Sequence, residues 1–196
     1  LGVLLGDGGL STKAEISFTS IDPYIVDILN NKLKAYDCKL VKDSEKDYRI
    51  ISTGSRENRL NTILKNMGLK EKKSFDKFIP IEYLKASAAD RIELLHGLMD
   101  TDGSCIKAQG RKSIEFWAAQ YYTISPQLKE GVVELVRSLG GKVTSVRKAS
   151  RYKDASTGEY LNCQDHYRLT ISFTNPDINP FSLPRKAERY SVSKNT

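Results

Sequence analysis

Two stretches of this 196-residue sequence decide its fold: "LGVLLGDGGLS" at residues 1–11 and "LLHGLMDTDGS" at residues 94–104. In each stretch an apolar run with helical spacing ends in an aspartate followed by a glycine. A shift of 95 residues places the pair Asp7 and Gly8 on the pair Asp102 and Gly103. The chain therefore carries the same helical motif twice.

A second repeat, with a shift of 103 residues, places "TSIDP" (19–23) on "YTISP" (122–126). A helical pattern follows each of them, and strand patterns follow each helix. The predicted strands are 38–41 and 48–52 in the first copy and 142–146 and 167–172 in the second. Near the end of each copy, "KFIP" (77–80) matches "FSLP" (181–184). These repeats predict a duplicated α+β unit, with an N-terminal half at 1–76, a connection at 77–93 and a C-terminal half at 94–196.

The composition favours a polyanionic partner. Lysine and arginine total 31 against 24 acidic residues, which leaves a net charge of +7, and the pI is near 9.2. Such an excess favours nucleic acid, because neutralised phosphates release counterions. The three cysteines form neither a disulfide framework nor a zinc pattern, and no secretory leader or membrane span is visible. We therefore expect a cytoplasmic protein, or a nuclear one in a eukaryote, that is not secreted and has no membrane partner.

Small residues predict that the two motif helices pack closely. Gly2 and Gly6 share one face of the first helix, as Gly97 and Thr101 share one face of the second. Such packing would bring the aspartates that end the helices to the same point, where both helix dipoles are already negative. An ordinary Asp-Gly turn is the simpler explanation of one such pair, but two repelling carboxylates favour a bound divalent cation.

The predicted metal site consists of Asp7, Asp102, Gly6 and Thr101. With two histidines in the chain, a metal ion would have to be held by oxygen ligands, which suits Mg²⁺, with Mn²⁺ as a substitute. Asp100 has Leu5 as its counterpart, so symmetry does not require it; it could support the site or face solvent.

"LHGLMDTDG" resembles the LAGLIDADG motif of homing endonucleases, and "LGVLLGDG" looks like the same motif without its first residue. This resemblance implies a pseudo-twofold α+β fold, in which two antiparallel-sheet saddles flank a central two-helix interface. It also implies a monomeric, metal-dependent endonuclease that cuts double-stranded DNA at a long asymmetric target site, with the last aspartate of each motif bound to metal.

The "KFIP" segment is similar to one that supplies a catalytic lysine in intein-borne members, which implies a catalytic role for Lys77. The matching place in the second half holds Phe181, and Lys186 lies just beyond Pro184 as the remaining candidate. The chain starts inside its first motif, so we expect it to derive from a longer, intein-containing protein.

The resemblance also implies that one face of each sheet lies on DNA. Polar and apolar residues alternate at 13–19 and 168–173, as expected for such strands, and the hairpin "SVRKASRYKD" (145–154) is strongly basic. The predicted DNA-binding residues are Lys13, Glu15, Ser17, Thr19, Arg49, Arg147, Lys148, Arg151, Tyr152, Lys153, Arg168 and Thr170.

Two other functions remain open from the sequence. The chain could bind nucleic acid without cutting it, as a DNA-binding regulator or an intron RNA maturase. It could also belong to an autoprocessing intein, although it opens without a nucleophilic cysteine or serine. The paired aspartates favour the nuclease, because a protein that only binds DNA has no need of two carboxylates facing phosphate.

Overall fold

The computed structural model describes residues 1–54, 57–109 and 115–190, and the described residues form two four-stranded antiparallel sheets. The first sheet has the strand order β1-β2-β4-β3 and the second has the order β5-β6-β8-β7. The strands of the first sheet are β1 (Gly8–Gly9), β2 (Ser17–Thr19), β3 (Cys38–Lys42) and β4 (Asp47–Ser52). Those of the second are β5 (Gly103–Gln109), β6 (Glu115–Thr123), β7 (Lys142–Lys153) and β8 (Tyr160–Ser172).

The helices repeat in the same way. A motif helix precedes each sheet and a second helix lies between its second and third strands. The helices are α1 (Gly2–Gly6), α2 (Pro23–Leu33), α3 (Arg59–Asn66), α4 (Ile81–Leu84), α5 (Ala88–Asp102), α6 (Pro126–Ser138) and α7 (Pro184–Ala187), with short 3-10 turns at Lys34–Tyr36 and Ser74–Asp76. The repeated order confirms the predicted duplication.

Both sheets follow the same register at the end of their motif helix. Gly8 pairs with Phe18 in the first sheet, and Gly103 pairs with Tyr121 in the second. Both aromatic rings are fully buried against the helices. The glycine after each aspartate therefore starts the first strand of its sheet over a buried ring.

Helices α1 and α5 pack with their backbones in contact. A Cβ atom on Gly97 would lie 2.6 Å from the Val3 nitrogen and 2.9 Å from the Gly2 Cα atom. A Cβ atom on Gly6 would collide with the Thr101 hydroxyl. The predicted close approach of small residues is confirmed, and it fixes both helices with their C-terminal ends together.

Apolar burial holds the two halves as one body. The core runs from the first sheet through the helix pair to the second sheet, and includes Phe18, Leu5, Leu98 and Ile171, each 1% exposed or less. The helix pair lies within this core, so its C-terminal ends are held rigidly in place.

Two strand predictions need correction. The first sheet's strand begins at Ser17, so Lys13 and Glu15 precede it instead of belonging to it. The Thr12 hydroxyl donates to the Glu15 carbonyl at 3.0 Å and accepts from the Glu15 amide at 3.3 Å, which holds a local turn in place of a strand. In the second sheet β7 and β8 extend beyond the strands predicted at 142–146 and 167–172 into the basic hairpin, which turns near Asp154.

Within the described ranges, none of the helices combines the length and the apolar character that crossing a bilayer requires.

Candidate active site at the ends of the paired helices

Asp7 and Asp102 lie at the same end of the helix pair, as predicted. Asp7 directly follows α1 and Asp102 is the last residue of α5. A Cβ atom on Gly6 would lie 3.3 Å from the Asp102 Oδ2 atom, so that carboxylate faces the end of α1. Each motif helix therefore delivers one carboxylate to a common point.

The site makes both carboxylates harder to ionise. Burial, and after it the neighbouring charge of Asp7, raise the pKa of Asp102 to about 6, against the opposing effect of Lys77 and Lys186. Burial also raises the pKa of Asp7, again opposed by the two lysines. An unliganded site thus holds two destabilised negative charges, and a cation would stabilise them.

Lys77 caps the C-terminal end of α1. Its ammonium group donates to the carbonyls of Leu5 at 2.8 Å, Gly6 at 3.0 Å and Gly8 at 2.8 Å. The last helical carbonyls have no partner within the helix, and the dipole places partial negative charge there. The lysine side chain satisfies both needs, although burial lowers its pKa.

Lys186 does the same for α5. Its ammonium group donates to Met99 at 3.0 Å, Asp100 at 2.6 Å and Gly103 at 2.6 Å. A shift of 95 residues places these acceptors on Leu4, Leu5 and Gly8, which are the carbonyls around Lys77. The two caps are therefore equivalent in space, although their lysines stand at different places relative to the prolines of "KFIP" and "FSLP".

This pair changes the physical account of the two carboxylates. From the sequence, a divalent cation alone was expected to relieve the repulsion between Asp7 and Asp102, whereas the structure adds the buried ammonium groups of Lys77 and Lys186. Since each ammonium has three N–H donors and at least three carbonyl acceptors, neither lysine has a donor left for a phosphate while the cap is intact. Their predicted catalytic role stays a prediction, and the geometry favours a positioning role.

Asp100 is buried, so the expectation that it could face solvent is wrong. Its side chain is 5% exposed and accepts hydrogen bonds from the Ser182 amide at 3.1 Å, the Ser182 hydroxyl at 2.6 Å and the Leu183 amide at 3.0 Å. The carboxylate ties α5 to the segment that carries Lys186. No sequence signal indicated this contact, because Leu5 occupies the matching position in the first half.

The remaining predicted metal-site residues are placed as follows. The Gly6 carbonyl already accepts from Lys77. The Thr101 hydroxyl donates to the Gly97 carbonyl at 2.8 Å, within its own helix.

A cleft of about 300 Å³ opens beside Asp102, and Lys77, Tyr122 and His166 line it together with Gly6. Tyr122 and His166 were not predicted for the site; their rings are 5.9 Å apart.

The described residues contain no group of three or more histidine, cysteine or acidic side chains that could hold a metal ion. Cys105 and His96 make contacts within the fold. Cys105 packs against the core, and the His96 Nε2 atom lies 2.9 Å from the Asn179 carbonyl.

Comparison with known proteins identifies the motif. A family model described as a LAGLIDADG-like domain matches residues 90–175, which include nearly all of α5 and the four strands of the second sheet. The second half of the chain therefore contains a LAGLIDADG-like domain.

Two curated relatives resemble nearly the whole chain. The replicative DNA helicase DnaB of Mycobacterium intracellulare is 31% identical over 189 residues, which are 95% of this chain and 25% of the helicase. The homothallic switching endonuclease of Saccharomyces cerevisiae is 26% identical over 211 residues, which are 96% of this chain and 34% of that protein. The chain thus spans about a quarter to a third of the length of these relatives.

Among solved structures, the chain is similar to mesophilic variants of the homing endonuclease I-DmoI, with 18% identity and a TM-score of 0.47 over 87% of this chain and 84% of that chain. It is also similar to I-DmoI in complex with DNA and Mn, with 17% identity and a TM-score of 0.47 over 87% of this chain and 85% of that chain.

The sheet next to α1 exposes part of the predicted DNA-binding set. Ser17 pairs with Arg49 across β2 and β4, so both lie on the exposed face, opposite to Phe18. Thr19 shares this face and donates to Asp47 at 2.9 Å. Arg49 forms an ion pair with Asp43 at 2.6 Å, which partly neutralises its charge.

In the second LAGLIDADG half, the predicted basic set divides between two faces. Lys148 pairs with His166, and Thr170 and Arg168 lie on the same face of β8 as His166. Arg147 lies on the opposite face, where its guanidinium meets the Asp165 carboxylate at 3.0 Å. Arg147 and Lys148 therefore do not share one face of the sheet, because neighbouring strand residues point in opposite directions. Contact of either residue with DNA stays a prediction.

The hairpin tip lies beyond a register shift between Lys148 and Ser150. Arg151, Tyr152 and Lys153 are all exposed there. The Ser150 hydroxyl lies 2.6 Å from the His166 Nδ1 atom, so the bulged strand still follows the same sheet face. Contact of these three side chains with DNA stays a prediction.

Proposed function

We propose that this chain is a site-specific endonuclease that hydrolyses both strands of double-stranded DNA with a divalent metal. The observation that carries the proposal is the pair of half-buried carboxylates, Asp7 and Asp102, one from each half, at the joined ends of two backbone-packed helices. Each half would act on one strand. The name of the yeast relative, a switching endonuclease, supports this assignment.

The residues present fit a Mg²⁺ ion. The two carboxylates are hard oxygen ligands. Because their pKa values are raised, a bound cation would stabilise their ionised forms. Mg²⁺ is commonly held by one or two carboxylates together with water and substrate phosphate, so Asp7 and Asp102 would suffice as its protein ligands. When bound, such ions supply polarisation of the scissile phosphate and a lower pKa for the attacking water.

The chain itself supplies positioning and charge balance. Asp7 and Asp102 would hold the ions between the halves, and the helix pair would keep the two carboxylates in register. Lys77 and Lys186 would keep the negative helix ends neutral, so that phosphate oxygens meet less repulsion on approach. The exposed sheet faces would bind the DNA backbone, with Lys148, Arg168 and Thr170 on one of them.

The match to a quarter of a replicative helicase has the form expected of a segment inserted in a host protein. Together with the lysine segment at 77–80, it supports an intein-encoded endonuclease. The protein would act as a monomer, because both carboxylates come from one chain.

The test uses a plasmid library with a randomised insert, incubated with the protein and Mg²⁺, followed by sequencing of the cut ends. We expect one long asymmetric site, with cleavage that EDTA abolishes and Mn²⁺ restores. Asp7→Asn and Asp102→Asn should abolish cutting and retain specific binding. Asp37→Asn is the matched control, because Asp37 is an exposed residue at φ 52°, a conformation that asparagine also adopts.

The alternative is a LAGLIDADG protein that binds nucleic acid without cutting it. Specific binding with no cleavage in either metal would support that function and contradict ours. Cleavage that survives both aspartate substitutions would contradict the assignment of the site.

A further inference from the structure

The segment that carries Lys77 is held by the second half of the molecule. The Ser125 hydroxyl donates to the Lys77 carbonyl at 2.6 Å, and the same oxygen accepts from the Leu128 amide at 3.0 Å as the N-cap of α6. Ser125 is fully buried. Two residues further along this segment, Ile79 packs on Gly131 of α6, where a Cβ atom would lie 3.2 Å from the Ile79 side chain.

The segment that carries Lys186 is held by the first half. The Asp22 carboxylate accepts from the Tyr24 amide at 3.1 Å as the N-cap of α2, and its other oxygen meets the Arg185 guanidinium at 3.1 Å. The Tyr24 hydroxyl donates to the Ser182 carbonyl at 3.0 Å. Arg185 directly precedes Lys186, so the contact between Asp22 and Arg185 holds the backbone from which Lys186 extends.

Asp22 and Ser125 are equivalent positions of the duplicated chain, since a shift of 103 residues places "IDP" on "ISP". Both residues cap a helix that starts with proline. Both use a second polar contact on the segment of the opposite lysine cap. An N-cap alone needs one acceptor, so the second contact is not required for helix formation.

We propose that Asp22 and Ser125 are crossed positioning residues, each of which caps a helix of its own half and holds the lysine that neutralises the motif helix of the other half. For cleavage, this assignment rests on the proposed function. The dependence of each lysine cap on a residue of the other half can be measured whether or not the protein cuts DNA.

Crossing couples the two halves at the site. Loss of Ser125 frees the segment of Lys77, which leaves the carbonyls at the end of α1 without a fixed donor and removes one of the two positive charges near Asp7. Loss of Asp22 does the same at the end of α5. Since a buried ammonium group is effective only at hydrogen-bond distance, a small displacement of either segment weakens its cap.

The variants separate this role from simple capping. Ser125→Ala removes both contacts, and Ser125→Thr keeps the hydroxyl. Asp22→Ser gives the first half the same capping residue that Ser125 provides in the second half. The serine hydroxyl can still cap α2, but the shorter side chain no longer reaches Arg185. Ser87→Ala is the control, because Ser87 also caps a helix, α5, but touches neither lysine segment.

The first measurement is the NMR signal of each lysine ammonium or ε-methylene group, assigned with Lys77→Met and Lys186→Met. Ser125→Ala should shift the Lys77 signal and leave Lys186 unchanged. Asp22→Ser should shift the Lys186 signal and leave Lys77 unchanged. Uncrossed shifts, or shifts equal to those of Ser87→Ala, would overturn the proposal.

The second measurement is cleavage of the identified site. Ser125→Ala should lower kcat on the order of 10-fold or more, with the affinity for DNA unchanged and the rate restored in Ser125→Thr. An equal loss in Ser87→Ala would overturn the positioning role. If the wild-type protein does not cut DNA but the NMR shifts are crossed, the positioning of the lysines is upheld and the proposed nuclease function fails.

Discussion

Neutralisation of one carboxylate should stabilise the metal-free protein, and Asp102→Asn tests this directly. Burial and Asp7 raise the pKa of Asp102 from 3.8 to about 6. Between about pH 4 and pH 6 the folded protein therefore holds a proton that the unfolded chain has released. Folding stability falls as pH rises through this window, and the full loss persists above it.

A rise of roughly two pKa units corresponds to about 3 kcal/mol, since each unit is worth about 1.36 kcal/mol. Asp102 is partly accessible to solvent, which screens the interaction, so we expect about 1–3 kcal/mol. Asparagine is neutral at every pH. The free energy of unfolding of Asp102→Asn should therefore exceed that of the wild type by this amount near about pH 7.5. Near about pH 4 the two free energies should be almost equal.

The assay is urea denaturation in EDTA at both pH values, with Asp37→Asn as the control that should change little. Addition of Mg²⁺ should then stabilise the wild type by mass action and leave Asp102→Asn nearly unaffected. Two results would refute the claim that two destabilised charges share this site. One is an Asp102→Asn variant that is no more stable than the wild type near neutral pH; the other is a difference in unfolding free energy that is the same at both pH values.

Three further predictions concern the helix pair, the caps and the sheet face. Gly97→Ala should destabilise the protein by about 1–3 kcal/mol in urea denaturation, because its Cβ would meet backbone atoms, whereas Gly54→Ala has open space and should not. Lys186→Met should lower both the melting temperature and the cleavage rate, because buried carbonyls lose their donor; unchanged melting would contradict the cap. Lys148→Ala should reduce the slope of log K against log salt for DNA binding by about 1, and Lys65→Ala, exposed on a helix, should not change it.

Local patterns predicted most of the architecture. The repeat of "DG" after an apolar run predicted two motif helices, and the glycines at 2 and 97 predicted their contact, which the 2.6 Å approach of a Cβ atom to Val3 confirms. Strand length was less well predicted. The Thr12 turn shortened β2, and the hairpin of β7 and β8 extends well beyond the sheet.

Contacts between distant segments could not be predicted in this way. Phe181 stands opposite Lys77 in the aligned sequence, but Lys186 provides the matching cap, because a flexible side chain can reach the same carbonyls from a different backbone position. Asp100 was left open for the same reason, since its partners lie 82 and 83 residues away.

The sequence by itself determined that the molecule is duplicated, that two glycine-faced helices pair, and that each ends in an aspartate. These features depend on the spacing of neighbouring residues, which helix geometry converts directly into a shared face. Only the tertiary structure decided which lysines neutralise the helix ends, what Asp100 binds, and which half holds each lysine. Those contacts join residues about 50 to 160 positions apart, whose proximity follows from the packing of both halves around one core.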